Sequence, residues 1–525
     1  MEQRHLKYLL DPQAYPEPTT KVRMLQTHVS YIFLTDRFAY KIKKPVDFGF
    51  LDFTTLERRR FYCEEEVRLN RRLCPDIYLG VVELRETDSD VCFYGEGGIV
   101  EYAVKMKRLP EEKMLHRLLA RNAVGEADMS RIAATIAGFH QNAAQSDEIN
   151  KFGSLRAIHD NWEENFQQCS EFVGITLTMD NLKVIRSWVE QFLVANKELF
   201  ERRVSSGFIR ECDGDIHLEN ICLDDRVYIF DCIEFNKRFS CSDTAADISF
   251  LLMDMDYHHR SDLAEWLLAE YVRMSGDTEL HLLVDLYKMY RAVVRGKVQS
   301  FMLNDPNILP EDKINAAEHA RLYFRLARGY ILRQELGPCL IIFCGLMGSG
   351  KSSIAAALSI ELGLETASSD AVRKKIASVP LHAHMNENYG EGIYNYAFTA
   401  AVYEELQVLA NNALANGRSI IIDASFIRKR DRDCFRKLAA KYRARFLQVH
   451  TVCPEQETER RLTCRSAKAM EISDGRWELY GCQRDKFENI EEDEGETVLI
   501  DTSRPLNASV DIIITALGLL PHLPK

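Results

Sequence analysis

The chain has 525 residues, of which 46% are hydrophobic and 28% charged. These proportions are ordinary for a soluble globular protein and exclude collagen, a coiled coil or disorder as a description of the whole chain. The 67 basic and 79 acidic residues give a formal net charge of −12 at pH 7, which argues against nucleic acid as a partner.

Three further features predict a cytoplasmic protein with no membrane partner. No apolar stretch reaches the roughly 18 residues that a membrane helix needs. The N-terminal residues lack the apolar core of a signal peptide. The 14 cysteines include no CxxC pair, which favours reduced thiols over a disulfide framework or a zinc site.

The first predicted elements form a β-hairpin. Residues 28–34 and 38–44 are rich in β-forming side chains, and the turn residues between them favour a hairpin. The second strand contains Phe38-Ala39-Tyr40-Lys41, which has the form V-A-I-K of the kinase strand whose lysine contacts the α- and β-phosphates of ATP. We therefore predict that Lys41 binds nucleotide. Lys43 shares its face of the strand, because side chains two positions apart point the same way.

A helix is predicted over residues 54–73 and should supply the carboxylate that orients this lysine. Glu66 is the preferred candidate, because it shares a helix face with apolar residues one turn away, and Glu65 is the alternative. A solvated acidic run is the simpler interpretation for at least one residue of Glu64-Glu65-Glu66. Further strands are predicted at 77–84, 91–94 and 99–106, and helices at 111–120, 126–141 and 182–203.

The most informative stretch of the N-terminal half is Asp213-Gly-Asp215-Ile-His-Leu-Glu-Asn220, followed by a predicted strand at 227–230 and then Asp231. Phosphoryl transfer on a kinase-like fold requires this order of groups. One Asp receives the proton of the acceptor hydroxyl, and the Asn and the later Asp hold the metal ions that bridge the phosphates. We therefore predict Asp215 as the catalytic residue and Asn220 and Asp231 as Mg²⁺ ligands.

A helix-rich stretch from 245 to 336 ends at Gly337-Pro338, where we predict a domain boundary. A short apolar strand at 339–344 then leads into Gly345-Leu-Met-Gly348-Ser349-Gly350-Lys351-Ser352-Ser353, which contains the P-loop pattern G-x-x-x-x-G-K-[ST]. Glycines allow backbone N–H groups to surround phosphate oxygens at the start of a helix. We predict that this loop binds ATP, with Lys351 on the β- and γ-phosphates and Ser352 on Mg²⁺. An ordinary glycine-rich turn is the alternative.

Three later segments can complete this second site. Asp423 ends an apolar strand, a position suited to holding Mg²⁺ or to a simple polar strand cap. Asp370 and Arg373 form D-x-x-R, in which the Asp can accept a hydroxyl proton or cap a helix that carries an ion pair. Arg461 and Arg465 lie one helical turn apart. They can clamp the γ-phosphoryl group or form a solvated basic face.

The P-loop, the D-x-x-R, the strand Ile-Ile-Ile-Asp423-Ala-Ser-Phe and the run Arg-Arg461-Leu-Thr-Cys-Arg465 together resemble small P-loop kinases over residues 339–522. The resemblance is to the predicted kinases grouped with zeta toxin, gluconate kinase and polynucleotide kinase. It implies a three-layer α/β fold with a parallel sheet. It also implies site roles: Asp370 as base or substrate ligand, Arg373 and Asp423 at the acceptor site, Arg461 and Arg465 in a lid, and Arg428 and Arg432 as weaker candidates for the cleft.

The string from Asp213 to Asp231 and the Lys41 strand resemble the aminoglycoside phosphotransferase family, a branch of the protein-kinase-like fold, over residues 25–335. The resemblance implies the same roles for Asp215, Asn220, Asp231 and Lys41, and it implies that Asp247 anchors the catalytic loop. The family usually has His where Asp213 stands. An Asp adds a negative charge to the site, which costs stability unless metal or an Arg such as Arg210 offsets it.

The order of the two motif sets is similar to that of bacterial fusions described as bifunctional aminoglycoside phosphotransferase/ATP-binding proteins. We expect a bilobal α+β kinase-like domain at 1–337, with a small lobe to about 108 and a helical lobe from about 109, then an α/β P-loop domain at 338–525. Each would transfer the ATP γ-phosphoryl group, with Mg²⁺, to a hydroxyl of a small molecule. A regulatory nucleotide-binding ATPase with a degenerate first domain and a polynucleotide-type kinase are the alternatives.

Overall fold

The computed structural model describes residues 3–49, 51–86, 90–306, 308–380, 383, 385, 390–466 and 473–519, without the side chains of Gln3, Arg465 and Ser466. The chain divides into two compact units. The first unit comprises Met1–Val173 and Leu182–Lys297, and the second comprises Gly174–Asn181 and Val298–Lys525. No helix of the described residues is long and apolar enough to cross a membrane.

The first unit opens with a short helix, α1 (Gln3–Tyr8), and a six-stranded antiparallel sheet of order β1-β2-β3-β6-β4-β5. Its strands are β1 (Arg23–Gln26), β2 (Ser30–Leu34), β3 (Phe38–Lys43), β4 (Tyr78–Glu86), β5 (Val91–Cys92) and β6 (Ile99–Lys107). The predicted hairpin is β2 with β3. Alternation along β3 buries Tyr40 and Ile42 in an apolar core, so Lys41 and Lys43 lie together on the other face.

Helix α2 (Leu56–Asn70) packs against β4 and β6. It begins after Thr55, whose hydroxyl accepts a hydrogen bond from the N–H of Arg58, a standard N-terminal cap. The buried residues of α2 include Glu66. The helix therefore presents a carboxylate to the interior, beside the strand that carries the two lysines.

Helices make up most of the remainder of the first unit, as predicted. They are α3 (Leu115–Ala120), α4 (Glu126–Asn142), α5 (Asp147–Asn150), α6 (Leu155–Ser170), α7 (Met179–Ala195), α8 (Lys197–Ser205), α9 (Lys237–Ser240), α10 (Thr244–Tyr257), α11 (Ser261–Ser275) and α12 (Val284–Phe301). The helix predicted over 182–203 is two helices that meet at Asn196. All residues of α10 are buried, so this helix forms the centre of the lobe.

Two short antiparallel pairs hold the loops of this lobe. One pair is β7 (Ile209–Glu211) with β10 (Cys241–Asp243), and the other is β8 (Ile221–Leu223) with β9 (Val227–Ile229). The second hairpin connects the segment 213–220 to Asp231. A β-sheet lobe followed by a helical lobe is the predicted bilobal kinase-like architecture.

The second unit contains a five-stranded parallel sheet of order β12-β13-β11-β14-β15. Its strands are β11 (Cys339–Cys344), β12 (Glu365–Ser368), β13 (Ile420–Asp423), β14 (Arg445–Val452) and β15 (Thr497–Asp501). Its helices are α13 (Pro310–Glu335), α14 (Lys351–Leu362), α15 (Ser369–Ile376), α16 (Tyr396–Ala415), α17 (Lys429–Lys441), α18 (Glu455–Ser466), α19 (Trp477–Arg484) and α20 (Leu506–Ala516).

The central strand β11 contributes to two apolar cores. Ile341 and Phe343 pack on one face with residues of α14 and α20, whereas Leu340 and Ile342 pack on the other with residues of α16 and α17. Helices therefore cover both faces of a parallel sheet, which is the three-layer arrangement expected of buried parallel strands. Both predicted fold classes are confirmed.

Helix α13 belongs to the second unit, although we placed it in the first domain on the basis of Gly337-Pro338. Arg325 Nη2 lies 2.6 Å from Glu361 Oε2 of α14, and Arg328 Nε lies 2.7 Å from Glu361 Oε1. Gly329 lets the helices approach closely, because a Cβ there would lie 1.7 Å from the Glu361 carbonyl oxygen. The glycine and proline therefore mark the start of β11, while α13 packs on the P-loop helix.

We expect Glu361→Ala to lower the free energy of unfolding by about 3–5 kcal/mol, because two buried guanidinium groups lose their buried counter-charge and keep only Asp511, whose side chain is 40% exposed. Urea unfolding followed by circular dichroism measures the loss. Glu365→Ala is the matched control, since Glu365 pairs with Arg418 where the side chains are 47% and 56% exposed, and should cost about 1 kcal/mol or less. Equal losses in the two variants would contradict this account of α13.

Candidate active sites

Lys41 on β3 and Glu66 on α2 form an ion pair inside the first unit. Lys41 Nζ lies 2.9 Å from Glu66 Oε1, and the two residues are 8% and 0% exposed. Glu65, the alternative, pairs instead with Arg68 on the helix surface at 2.8 Å. Lys41 also forms an ion pair with Asp231. The lysine is thus held between the orienting carboxylate and one of the predicted metal ligands.

A second lysine shares the same carboxylate. Lys43 Nζ lies 2.6 Å from Glu66 Oε2 and also pairs with Glu234, and all three side chains are buried. Burial alone would lower the pKa of Lys41 and Lys43, but the surrounding carboxylates raise the pKa of both above the usual value. Both lysines therefore stay charged. Glu234 was missed from the sequence, and its only signal is an acidic residue three positions after Asp231.

The predicted catalytic residues meet in one loop. Asn220 Nδ2 lies 3.2 Å from Asp215 Oδ2, and His217 Nε2 lies 3.5 Å from the same oxygen. Burial alone would raise the pKa of Asp215, but His217 lowers it, so the carboxylate is ionised and can accept a proton. The N–H of Phe230 donates to the carbonyl of Asn220 at 3.1 Å, which brings Asp231 beside this loop.

Two buried carboxylates of α10 hold the loop of residues 213–220 in place. Asp247 accepts hydrogen bonds from the N–H groups of Asp213 and Gly214 at 3.0 and 2.8 Å. Asp254 accepts one from the N–H of Leu218 at 2.9 Å. The two acids are seven positions apart on an apolar helix and so lie on one face. This spacing is the signal that could have revealed Asp254 from the sequence.

Asp213 does not add the charge that we expected from its place in the motif. It is 1% exposed, and its Oδ1 accepts a hydrogen bond from the N–H of Asp215 at 3.1 Å. Burial and the neighbouring charge of Asp247 raise the pKa of Asp213 well above its usual value, which favours the uncharged form of its carboxyl. Arg210 makes no compensating pair, because its guanidinium donates to backbone carbonyls instead.

The P-loop of the second unit has the backbone of an anion cradle. Gly345, Gly348 and Gly350 have φ angles of 141°, 74° and 85°, a region that favours glycine. A Cβ on Gly348 would lie 2.9 Å from side-chain atoms of Leu462. Lys351, the first residue of α14, donates from Nζ to the carbonyl of Gly345 at 3.0 Å. The loop thus has both the space and the N-terminal helix end that a phosphate group requires.

A cavity of about 660 Å³ opens beside the loop. Of the predicted residues it is lined by Gly348, Gly350, Lys351, Ser352, Ser353, Asp370, Arg373 and Asp423. Gly345 and Ser349 lie behind it, and the Ser349 hydroxyl is 2.7 Å from the Thr451 hydroxyl. These eight residues, which come from three separate segments, therefore face one space.

The acidic residues of the cavity are placed by the sheet and by α15. Asp423 ends β13 and lies opposite Phe343 of β11 in the parallel register, next to the start of the P-loop. Asp370 lies in the first turn of α15, and within the described ranges its carboxylate accepts no hydrogen bond. Arg373, one turn later, donates from Nη1 to the carbonyl of Ile393 at 2.6 Å.

Of the two predicted lid arginines, Arg461 does not line this cavity. Arg461 donates to the hydroxyl and carbonyl of Thr502 at 2.9 and 2.7 Å and to Glu457 at 2.9 Å. The side chain of Arg465 lies outside the described residues. Of the weaker candidates, Arg428 lines the cavity, whereas Arg432 is buried against Glu494.

A family model and several known proteins match this chain. A family model described as an AAA domain matches residues 340–488. The Mycobacterium tuberculosis protein named Uncharacterized protein Rv2004c is 31% identical over 425 residues, which cover 81% of this chain and 82% of the relative. The chain belongs to the same protein family. The aligned stretch is longer than either compact unit, so the family shares residues of both.

Two solved structures are similar to parts of the chain. A choline/ethanolamine kinase family protein from Mesorhizobium loti is 13% identical and covers 62% of this chain and 93% of its own, with a TM-score of 0.38. A sugar kinase from Janibacter sp. HTCC2649 is 22% identical and covers 35% and 96%, with a TM-score of 0.27. These TM-scores are too low to carry a conclusion, and the fold assignment rests on the strand orders given above.

Lys41, Lys43, Glu66 and Glu234 form one buried cluster of charges. We expect the effects of substitutions at Lys43 and Glu234 on the free energy of unfolding to be strongly coupled. Lys43→Met should lower the free energy of unfolding by about 3–5 kcal/mol, because Glu66 and Glu234 lose a shared cation. The double variant Lys43→Met/Glu234→Gln should lose less than the sum of the single losses, since it removes both partners of one pair. Urea unfolding of the four proteins measures this cycle. Strictly additive losses would contradict the pairing.

The raised pKa of Asp213 predicts that the free energy of unfolding depends on pH. The folded state holds this proton more tightly than the unfolded state, so the wild type should lose stability relative to Asp213→Asn as pH rises above 3.8 towards the raised pKa. Urea unfolding at about pH 5, 7 and 9 measures the difference. Asp225→Asn is the control and should give a constant difference, because the pKa of Asp225 is lowered from 3.8 by its Tyr228 hydrogen bond. An Asp213→Asn difference that does not change with pH would contradict the raised pKa.

Proposed function

We propose that the protein is an ATP-dependent phosphotransferase that moves the γ-phosphoryl group to a hydroxyl of a small molecule, with one nucleotide site in each unit. The observation that carries this proposal is the cavity of the second unit, where the glycine cradle, Lys351, Asp423 and Asp370 face one space. That combination meets the requirements for positioning a nucleotide phosphate, a metal ion and a proton acceptor together.

In the second unit, backbone N–H groups of the P-loop and the ammonium group of Lys351 would hold the phosphates. The residues that fit Mg²⁺ are Ser352, through its hydroxyl, and Asp423, through its carboxylate. When bound, Mg²⁺ neutralises charge on the β- and γ-phosphates. Asp370, whose carboxylate has no hydrogen bond within the described ranges, would accept the proton of the attacking hydroxyl.

In the first unit, Lys41 would contact the nucleotide phosphates while Glu66 keeps its ammonium group in position. Asp215 is ionised and would accept the proton of the acceptor hydroxyl. Asn220 and Asp231 offer amide and carboxylate oxygens, the ligands that Mg²⁺ prefers. Because burial raises the pKa of Asp213, the uncharged form of its carboxyl is favoured, and that form adds less repulsion to this site than a carboxylate in place of the family histidine would.

The proposal predicts that label from γ-labelled ATP is transferred to members of a panel of metabolites that carry hydroxyl groups. The transfer by each unit should be lost in a different variant. Lys351→Ala should lower transfer by the second unit about a hundredfold or more, because it removes charge from the phosphate site. Asp215→Asn should lower transfer by the first unit about a hundredfold or more, because it removes the base. Lys441→Ala and Asp225→Asn, at positions outside both sites, are the matched controls and should transfer at the wild-type rate.

The outcomes of this assay also separate the alternatives. Transfer that is lost in Lys351→Ala alone would assign the chemistry to the second unit and refute the first site. Acceptor-independent ATP hydrolysis that Asp215→Asn leaves unchanged would favour the regulatory ATPase. Binding of an oligonucleotide with a steep salt dependence would favour the polynucleotide-type kinase. Absence of Mg·ATP binding to the purified wild type would refute the proposal.

A further inference from the structure

Two guanidinium groups flank an exposed tyrosine on the wall of the second unit's cavity. Arg428 Cζ lies 4.7 Å and Arg430 Cζ 5.5 Å from the ring centroid of Tyr396, and all three residues line the cavity. Hydrogen bonds from Arg430 and Arg428 lower the pKa of the Tyr396 hydroxyl. Arg430 is partly neutralised by Asp431, whose Oδ1 lies 3.3 Å from Arg430 Nε. Among the described residues, Arg428 has no carboxylate partner.

A third guanidinium group in the cavity also lacks a counter-charge. Arg373 is 6% exposed, pairs with no carboxylate of the described residues, and has a buried Nε without a hydrogen-bond partner. Its remaining contacts are neutral: the carbonyl of Ile393, the hydroxyl of Thr399 and the ring of Tyr394. A buried charge without a partner is costly, so this arginine is placed to receive an anion from the cavity.

The carboxylates that line the cavity do not provide the counter-charge of Arg373. They are Asp370, Glu404, Asp423, Asp431 and Asp474. Asp370 and Asp423 are the proposed base and metal ligand, and Asp431 is paired with Arg430. Asp474 accepts a hydrogen bond from the Tyr394 hydroxyl at 2.7 Å. Glu404 is exposed and forms no ion pair within the described part of the chain.

We propose that the acceptor of the second unit carries a carboxylate or phosphate group, which Arg373, Arg428 and Tyr396 bind while its hydroxyl faces Asp370. This inference rests on the proposed function of that unit. The γ-phosphorus of ATP would form a bond to the acceptor oxygen as its bond to the β–γ bridging oxygen breaks. The hydroxyl proton passes to Asp370, and ADP leaves.

The guanidinium fork explains why the anion should be a carboxylate or phosphate. Arginine presents parallel N–H groups that match the oxygen pairs of these two anions, and such charge-assisted bonds are stronger than neutral ones. A neutral acceptor would leave the buried guanidinium group of Arg373 without a counter-charge, which is costly. A cationic acceptor, such as an amino sugar, would meet it as a like charge, which disfavours binding.

Inorganic sulfate tests the subsite without knowledge of the acceptor. The full-length protein is first saturated with Mg·ADP, which occupies the P-loop, and is then titrated with sulfate in a calorimeter. We expect one saturable sulfate site, weakened about tenfold or more in Arg428→Gln. Arg436→Gln is the matched control, because Arg436 lies on helix α17, which begins directly after Arg428, and pairs with Asp433 outside the cavity. It should bind sulfate like the wild type.

Each result of this titration decides a separate point. Unchanged Mg·ADP affinity in both variants shows that they are folded. Equal sulfate affinity in Arg428→Gln and the wild type would overturn the inference, as would a wild type that binds Mg·ADP but no sulfate. Failure of the wild type to bind Mg·ADP would instead refute the proposed function of the second unit.

Discussion

The carboxylate of Glu66 has no solvent exposure and lies between the ammonium groups of Lys41 and Lys43. Buried carboxylates with two partners also occur elsewhere in the chain. Asp247, also fully buried, accepts two backbone N–H groups of the catalytic loop, and Glu361 lies between two arginines of α13. Removing one partner of such a group leaves an uncompensated charge in the interior. These buried acids therefore hold together the segments that contact them within each unit.

The two units build their candidate sites in physically different ways. In the first unit, side chains converge from a β-sheet, a helix and a loop, so the site depends on many tertiary contacts. In the second, the anion cradle is made largely by the backbone of one loop and the end of α14, and the glycines at 345, 348 and 350 provide its shape. A backbone cradle requires few side-chain contacts, which explains why it is also the easier of the two to find in a sequence.

A contrast within the second unit separates structural charges from binding charges. Arg432, Arg325 and Arg328 are buried and paired with carboxylates. Arg373 is equally buried but has no carboxylate partner among the described residues. The desolvation cost of a guanidinium group is the same in both cases, so the missing partner is the informative feature. An arginine that pairs with a carboxylate stabilises the fold, whereas we propose that the buried Arg373 binds a ligand.

The sequence by itself determined the local features: the strand–loop–helix of the P-loop, the hairpin that carries Lys41, and the order Asp215, Asn220, Asp231. Each depends on neighbouring residues, whose periodicity and backbone preferences are visible in the chain. Only the tertiary structure decided that α13 packs on the second unit, that Glu234 joins the lysine cluster, that Arg461 bonds to Thr502, and that the pKa of Asp213 is raised. These outcomes depend on burial and on charges far apart in sequence, because the cost of desolvating a charged group is set by whatever partner the fold brings to it.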